Sequence, residues 1–240
     1  MKDLGLLHYF LGLEMWQQKG GMFVSQGKYA REILEKFHMQ GCKPINTPLP
    51  GGWRKEGATS VEVVDATVYR QLVGSLMYLL NTRPDICYAV NQLSQVMVEP
   101  TKLFWKAGNR YMRYLRGTSG YVLWYRQSDE LKLHGFNDAD WAGSPTDRKS
   151  TSGSTTVSWY SRKQRSVALS SAGAEYMVAS LAACEAIWMR KILVGLFSSH
   201  LDPTVINCDN QGCIKLSVNP VFHDRSKHID IRYHHIRDCV

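Results

Sequence analysis

The chain has 240 residues, with 29 Lys plus Arg against 21 Asp plus Glu for a formal net charge of +8, and is 44% hydrophobic and 21% charged. These proportions exclude a disordered tail, a collagen-like repeat and a disulfide-dense miniprotein, and the length suits two small domains better than one large one. No apolar run of about 18 residues occurs and Met1-Lys2-Asp3-Leu4-Gly5 lacks a charged-then-apolar leader, so neither a membrane span nor export is expected.

Residues 4–16 are dense in Leu, Phe and Tyr, Lys19-Gly20-Gly21 is a turn, Met22-Phe23-Val24 resumes as strand, and Lys28 to Phe37 has helical spacing at Tyr29, Ile33, Leu34 and Phe37. From Cys42 to Val61 the pattern dissolves among Pro44, Pro48, Pro50, Gly51, Gly52 and Gly57, which marks a linker or surface loop. Three helical stretches follow, Tyr69 to Leu80, Asp85 to Met97 and Pro100 to Leu115, the last two starting at or just after prolines. In the third, Lys102, Lys106, Arg110 and Arg113 share one side. That stripe is either a solvated face or a phosphate-backbone contact.

Beyond residue 131 the texture changes. Leu131 to Phe136 alternates as a strand and runs into Asn137-Asp138-Ala139-Asp140, so acidic groups are expected at a strand's end. Val157 to Trp159 and Ser166 to Leu169 read as short strands around a basic tip of Arg162, Lys163 and Arg165, Ser171 to Leu196 as a long helix, and Thr204 to Cys208 as a buried strand ending at Asp209-Asn210. Strands joined by crossover helices imply an α/β or α+β layer fold. Boundaries are expected at 1–45, 46–66 (linker), 67–130 and 131–240. Six cysteines without a C-x-x-C pair argue against a zinc ribbon, and His223, His228, His234 and His235 match no common zinc spacing.

Between Arg165 and Arg190 the only charged residues are Glu175 and Glu185, in an otherwise small and apolar helix. Such a helix packs on a sheet, and a carboxylate near its start is costly unless a partner compensates it. Each acid also has an ordinary use: Glu175 as a first-turn charge, Asp209 as a helix cap, Asp138 and Asp140 as turn residues. Taken as a set, Asp138, Glu175 and Asp209 stand at two strand ends and a helix start, which sheet order can bring to one edge. Clustered carboxylates repel unless divalent cations neutralise them, and hard oxygen ligands select Mg²⁺ or Mn²⁺. With a positive surface, the substrate expected is a nucleic acid.

The strings Asn137-Asp138-Ala139-Asp140-Trp141-Ala142-Gly143, Asp147-Arg148-Lys149-Ser150-Thr151-Ser152-Gly153, Lys163-Gln164, Val167 to Ser171, Ala174-Glu175-Tyr176-Met177, Cys208-Asp209-Asn210-Gln211 and Lys227 to His234 resemble the ribonuclease H domain of copia-type retrotransposon Pol polyproteins. Upstream, Met1 to Gly5, His8 to Gly12, Tyr69 to Tyr78 and Thr82-Arg83-Pro84-Asp85-Ile86 resemble the end of the same polyprotein's reverse transcriptase. The resemblance implies a ribonuclease H-like mixed sheet flanked by helices, preceded by a palm end (1–45) and a small, mainly helical thumb or connection region (67–130). It also implies two-metal cleavage of RNA in RNA–DNA hybrids, with Asp138, Glu175 and Asp209 as Mg²⁺ or Mn²⁺ ligands. Asp140 is the weaker candidate ligand. Arg148, Lys149, Lys163 and Arg165 would contact backbone phosphates, with Lys102, Lys106, Arg110 and Arg113 extending the track.

The sequence departs from the family pattern at several points. Ala172-Gly173 stands where relatives carry Thr-Glu, and Gly173 weakens the helix start by roughly 1 kcal/mol. Only Ser154-Thr155-Thr156-Val157 separates Gly153 from Ser158-Trp159, which shortens a hairpin. The paired-aspartate polymerase motif is expected upstream of Met1, so no polymerase activity is expected, and a fourth acidic ligand is expected beyond Val240. Asp230 is given a structural role, pairing with Arg232 or Lys227. The expectation is a retrotransposon-derived fragment, located in the cytoplasm, a virus-like particle or the nucleus, with weak or lost nuclease activity and the remainder of the polyprotein as a partner. The alternatives are a non-catalytic nucleic-acid-binding or structural remnant, and another nuclease of the same superfamily.

Overall fold

The computed structural model describes residues 5–54, 62–128, 132–155, 157–198, 201–218 and 228–240. Met1 to Leu4, the loop stretch 55–61, Leu131, Thr156, His223 and Lys227, all named above, lie outside them. The chain is mixed α/β and divides into two compact units, Met1–Ser128 and Asp129–Val240, each with its own sheet. Among the described residues no helix is long and apolar enough to cross a membrane.

In the first unit β1 (Tyr9–Phe10), β2 (Leu13–Gln18), β3 (Gly21–Ser25) and β4 (Leu123–Arg126) form an antiparallel sheet in that order. The β2–β3 hairpin turns at Lys19-Gly20, where Gly20 takes a φ of 97° that favours glycine. The strand β4 has no counterpart in the sequence reading; its Trp124 pairs with Phe23, ring centroids 4.1 Å apart.

The helices α1 (Gly27–Lys36), α2 (Ala66–Leu79), α3 (Cys87–Ser94) and α4 (Lys102–Thr118) pack into one core that includes Ile33, Leu34, Tyr69, Leu72, Leu76, Leu93, Tyr111 and Leu115. The stretches expected to flank a 46–66 linker therefore share a core. Asp65 caps α2 by accepting from Thr67 N–H at 2.7 Å. Pro84 opens a short 3₁₀ turn before α3, where its missing N–H costs nothing.

In the second unit β5 (His134–Asp140), β6 (Thr151–Thr155) and β7 (Trp159–Lys163) form an antiparallel meander. The long helix α5 (Ser171–Phe197) then crosses over to β8 (Val205–Asn207), which pairs with β5 in parallel and gives the order β7-β6-β5-β8. The helix α6 (Gln211–Val218) and a 3₁₀ segment (Ile231–Asp238) complete the unit. Ala174, Tyr176, Met177 and Ala183 of α5 pack with Cys213, Ile229, Tyr233 and Ile236 as a second core.

Four expectations are corrected here. The strand expected at Leu131 to Phe136 starts at His134 and runs through the acidic run, because Asp138 and Asp140 pair with Gly153 and Thr151 of β6. Ser166 to Leu169 is not a strand: the ladder ends at Gln164, whose N–H bonds Ser150 O, and Ala168 O accepts from the Trp141 indole before Ser170 caps α5. Arg162 and Lys163 accordingly lie within β7 and not at a hairpin tip. The strand β8 is shorter than expected and exposed at Val205 and Asn207, as suits a sheet edge.

Candidate metal and nucleic-acid site

The parallel register of β5 and β8 builds the site. Phe136 stands opposite Asn207, so two residues further on Asp138, still within β5, and Asp209, just past the end of β8, occupy equivalent positions. Neighbouring strands lie about 4.8 Å apart. Glu175 reaches the same place from α5. Ser170 caps that helix by accepting from Gly173 N–H at 3.1 Å, which puts Glu175 at the fifth helical position, past the first turn. The first-turn dipole account of Glu175 therefore does not apply.

Glu175 is 4% exposed, whereas Asp138 and Asp209 face solvent. Its Oε1 accepts from Ala139 N–H at 2.7 Å and its Oε2 from the Asn137 amide at 3.2 Å, so β5 holds the carboxylate from two sides. Burial, joined by the charges of Asp138 and Asp209, pushes its pKa from 4.5 up to about 6, against the opposing pull of those two hydrogen bonds. Ligand atoms of Glu175, Asp209 and Cys208 all lie within 4.8 Å of one another. Cys208 is a member that sequence reasoning missed, and its position just before Asp209 was the available signal. Asn210, not Asp209, caps α6, its Oδ1 accepting from Cys213 N–H at 3.0 Å, so Asp209 is not held as a cap. Asp140 accepts from Thr151 N–H, and a Cβ on Gly143 would collide with its carboxylate, which assigns it to the β5–β6 connection.

The carboxylate oxygens of this cluster are hard donors and the Cys208 sulfur a soft one. Each Glu175 oxygen retains a lone pair beyond the hydrogen bond it accepts, and two exposed carboxylates adjoin it.

The basic residues divide by role. Arg148, at a φ of 55°, and Lys149 lie between β5 and β6. Lys163 is paired with Asp147 at 2.9 Å, and the Ser144 hydroxyl, then Lys163, hold that carboxyl down at about 2. Arg165 is exposed and makes no ion pair among the described residues. On α4, Lys102 pairs with Glu62 at 2.8 Å and Lys106 is exposed. Arg110 and Arg113 of the stripe are engaged within the first unit. Arg110 donates to Thr47 Oγ1 at 2.9 Å, Arg113 to Lys43 O at 2.8 Å and the neighbouring Arg116 to Gln40 O at 2.7 Å, so these side chains fasten loop 40–47 to the helix. Asp230 caps the 3₁₀ segment through Arg232 N–H and pairs with the Arg232 guanidinium at 3.3 Å.

The chain is 42% identical over its full length to the retrovirus-related Pol polyprotein from transposon RE1 of Arabidopsis thaliana. It is 40% identical, again over its full length, to that from transposon TNT 1-94 of Nicotiana tabacum. It spans 17% and 19% of the lengths of these two relatives. An uncharacterized mitochondrial protein of Arabidopsis thaliana is 39% identical over 86% of the chain and 86% of its own length. No protein-family model matches the chain, and no solved structure does.

Proposed function

Because this chain belongs to the family of retrotransposon Pol polyproteins, we propose that its second unit is a ribonuclease H-like nuclease acting on the RNA strand of RNA–DNA hybrids. The observation that carries the reading is the register that sets Asp138 of β5 beside Asp209 just past β8, with the buried Glu175 subject to the charge of both. The order β7-β6-β5-β8, with a crossover helix after an antiparallel meander, supports the same fold reading.

In this reading Asp138, Glu175 and Asp209 hold divalent cations, Mg²⁺ or Mn²⁺, whose chemistry when bound is to activate water and stabilise the leaving oxygen of a phosphodiester. The water oxygen bonds to phosphorus and gives up a proton to solvent, the bond from phosphorus to the ribose 3′ oxygen breaks, and the freed 3′ oxygen takes a proton from solvent. The chain's own contribution is positional. Ala139 N–H and the Asn137 amide fix the Glu175 carboxylate, and the solvent-facing Asp138 and Asp209 leave the substrate side open. Lys149, Arg148 and Arg165 of the second unit are the phosphate contacts of this reading.

A 5′-labelled RNA annealed to DNA, incubated with the full chain and Mg²⁺ or Mn²⁺, tests the proposal. Cleavage that Asp209→Asn abolishes supports it. Hybrid binding without cleavage in either metal replaces it with a non-catalytic nucleic-acid-binding protein, and absence of both overturns both readings.

A further inference from the structure

The connection from β8 to α6 is Cys208-Asp209-Asn210. Asn210 is engaged as the cap of α6, which leaves Cys208 and Asp209 as consecutive side chains beside the Glu175 carboxylate. The Cys208 sulfur and one oxygen each from Glu175 and Asp209 all lie within 4.8 Å of one another. Tetrahedral coordination, with bonds of about 2.3 Å to sulfur and about 2.0–2.2 Å to oxygen, sets donors roughly 3.5 Å apart, a closure that the exposed Asp209 can supply by rotation. Exposure grades from the buried Glu175 through the half-buried Cys208 to Asp209, so the cluster is open to a solvated ion from one side.

The charge at the inner end is a second, independent observation. Glu175 is 4% exposed and has no ion pair among the described residues; the charges that act on it are those of Asp138 and Asp209, both acidic. Its donors, Ala139 N–H and the Asn137 amide, are neutral and leave its charge uncompensated. Buried charges are paired or coordinate metals, so this carboxylate calls for a cation. The donors decide which one. Mg²⁺ takes oxygen ligands in a near-ideal octahedron and gains nothing from sulfur, and Ca²⁺ takes about six to eight oxygens. Cu⁺ is served by several soft sulfurs, of which the cluster has one. One thiolate with two carboxylates suits Zn²⁺, which accepts sulfur and oxygen together in four-coordinate sites with a position left for water. Cys213, 1% exposed, hydrogen-bonds the Cys208 thiol, and burial keeps its own proton in place, so it stays a neutral donor beside that sulfur.

We infer that Cys208, Glu175 and Asp209 form a Zn²⁺ site, and that Zn²⁺ held there excludes Mg²⁺ or Mn²⁺ from Glu175 and Asp209. The first statement stands on the donor set; the second rests on the function proposed above and makes Zn²⁺ an inhibitor of that nuclease. Cys208 gives up its thiol proton to solvent as the zinc–sulfur bond forms, and water completes the coordination. Zn²⁺ also stands above Mn²⁺ in the general order of affinity for such donors.

Co²⁺ is the probe, because a thiolate ligand gives it a charge-transfer band in the near ultraviolet that oxygen ligands do not. Titration of the reduced full chain, free of other divalent cations, should saturate that band at about one equivalent of Co²⁺, and Zn²⁺ should bleach it. Cys208→Ser should remove the band. Asp209→Asn, at an exposed position, should weaken Zn²⁺ binding about ten-fold in competition with a chromophoric chelator. Cys184→Ser with Cys239→Ser, two exposed thiols outside the cluster, should change neither reading. Absence of the band, its survival in Cys208→Ser, or a Zn²⁺ affinity indifferent to Asp209→Asn overturns the site. With Mg²⁺ present, about one equivalent of Zn²⁺ should slow hybrid cleavage about ten-fold, and cleavage indifferent to bound Zn²⁺ overturns the exclusion. The Co²⁺ band is read without substrate, so cleavage without a band sinks the zinc site alone, and a band on a chain that neither binds nor cleaves the hybrid sinks the nuclease alone.

Discussion

Glu175 is stabilised and penalised by the same placement. Two donors from β5 fix it, yet burial and two neighbouring carboxylates raise its proton affinity, so the metal-free folded chain binds more protons than the unfolded chain between pH 4.5 and about 6. The contribution of this group to stability is therefore full below 4.5 and lost as pH rises through about 6. A shift of this size corresponds to roughly 2 kcal/mol. Glu175→Gln keeps a neutral side chain at every pH. Denaturant unfolding without divalent cations should show the variant gaining about 2 kcal/mol on the native chain between pH 4 and pH 7; a gap that stays constant with pH would show that Glu175 is not strained. Mg²⁺ at millimolar concentration should raise the melting temperature of the native chain, and Asp209→Asn should remove that rise. A cation response unchanged by Asp209→Asn would place the cation elsewhere.

At the scale of elements, α4 and α5 carry opposite lessons. The basic face of α4 is fastened to loop 40–47, so Arg110→Ala with Arg113→Ala should speed amide exchange and proteolysis within 40–47 while leaving affinity for a hybrid within two-fold. A large loss of affinity with the loop still protected would restore the phosphate role. At the start of α5, a Cβ on Gly173 would meet Ser170 Oγ at 3.4 Å and Ile229 Cδ1 at 3.8 Å, ordinary contacts. Gly173→Ala should therefore raise stability by about 1 kcal/mol, read as a higher denaturant midpoint with an unchanged slope. The helices were legible in the sequence because Tyr69, Leu72, Val73 and Leu76 repeat at the helical period and become the buried face of α2. The strands were harder. Thr151-Ser152-Gly153-Ser154-Thr155 is a largely buried strand without an apolar residue, satisfied by its ladder to both neighbours, so no hydrophobic alternation announces it. The acids of the site were visible one by one. Their meeting depends on the register of β5 with β8, a pairing across some seventy residues that no local pattern encodes.

For the molecule as a whole, the two hydrophobic cores share no residue. One gathers Tyr69, Leu72, Leu76, Tyr111 and Leu115, the other Ala174, Tyr176, Met177 and Tyr233. Each core belongs to one of the two compact units, so each is expected to unfold as its own cooperative block. Leu76 is fully buried and Met177 nearly so, and truncating either to alanine costs about 2–5 kcal/mol. In calorimetry of the full chain, Leu76→Ala should lower one transition and Met177→Ala the other, with the effects adding in the double variant because the positions have no partner in common. Mg²⁺ should raise only the transition that Met177→Ala lowers, since Asp138, Glu175 and Asp209 all belong to the second unit. A single transition moved by both substitutions would mean that the units unfold together. The cation response would then report on the entire chain and would cease to locate the carboxylate site within one unit.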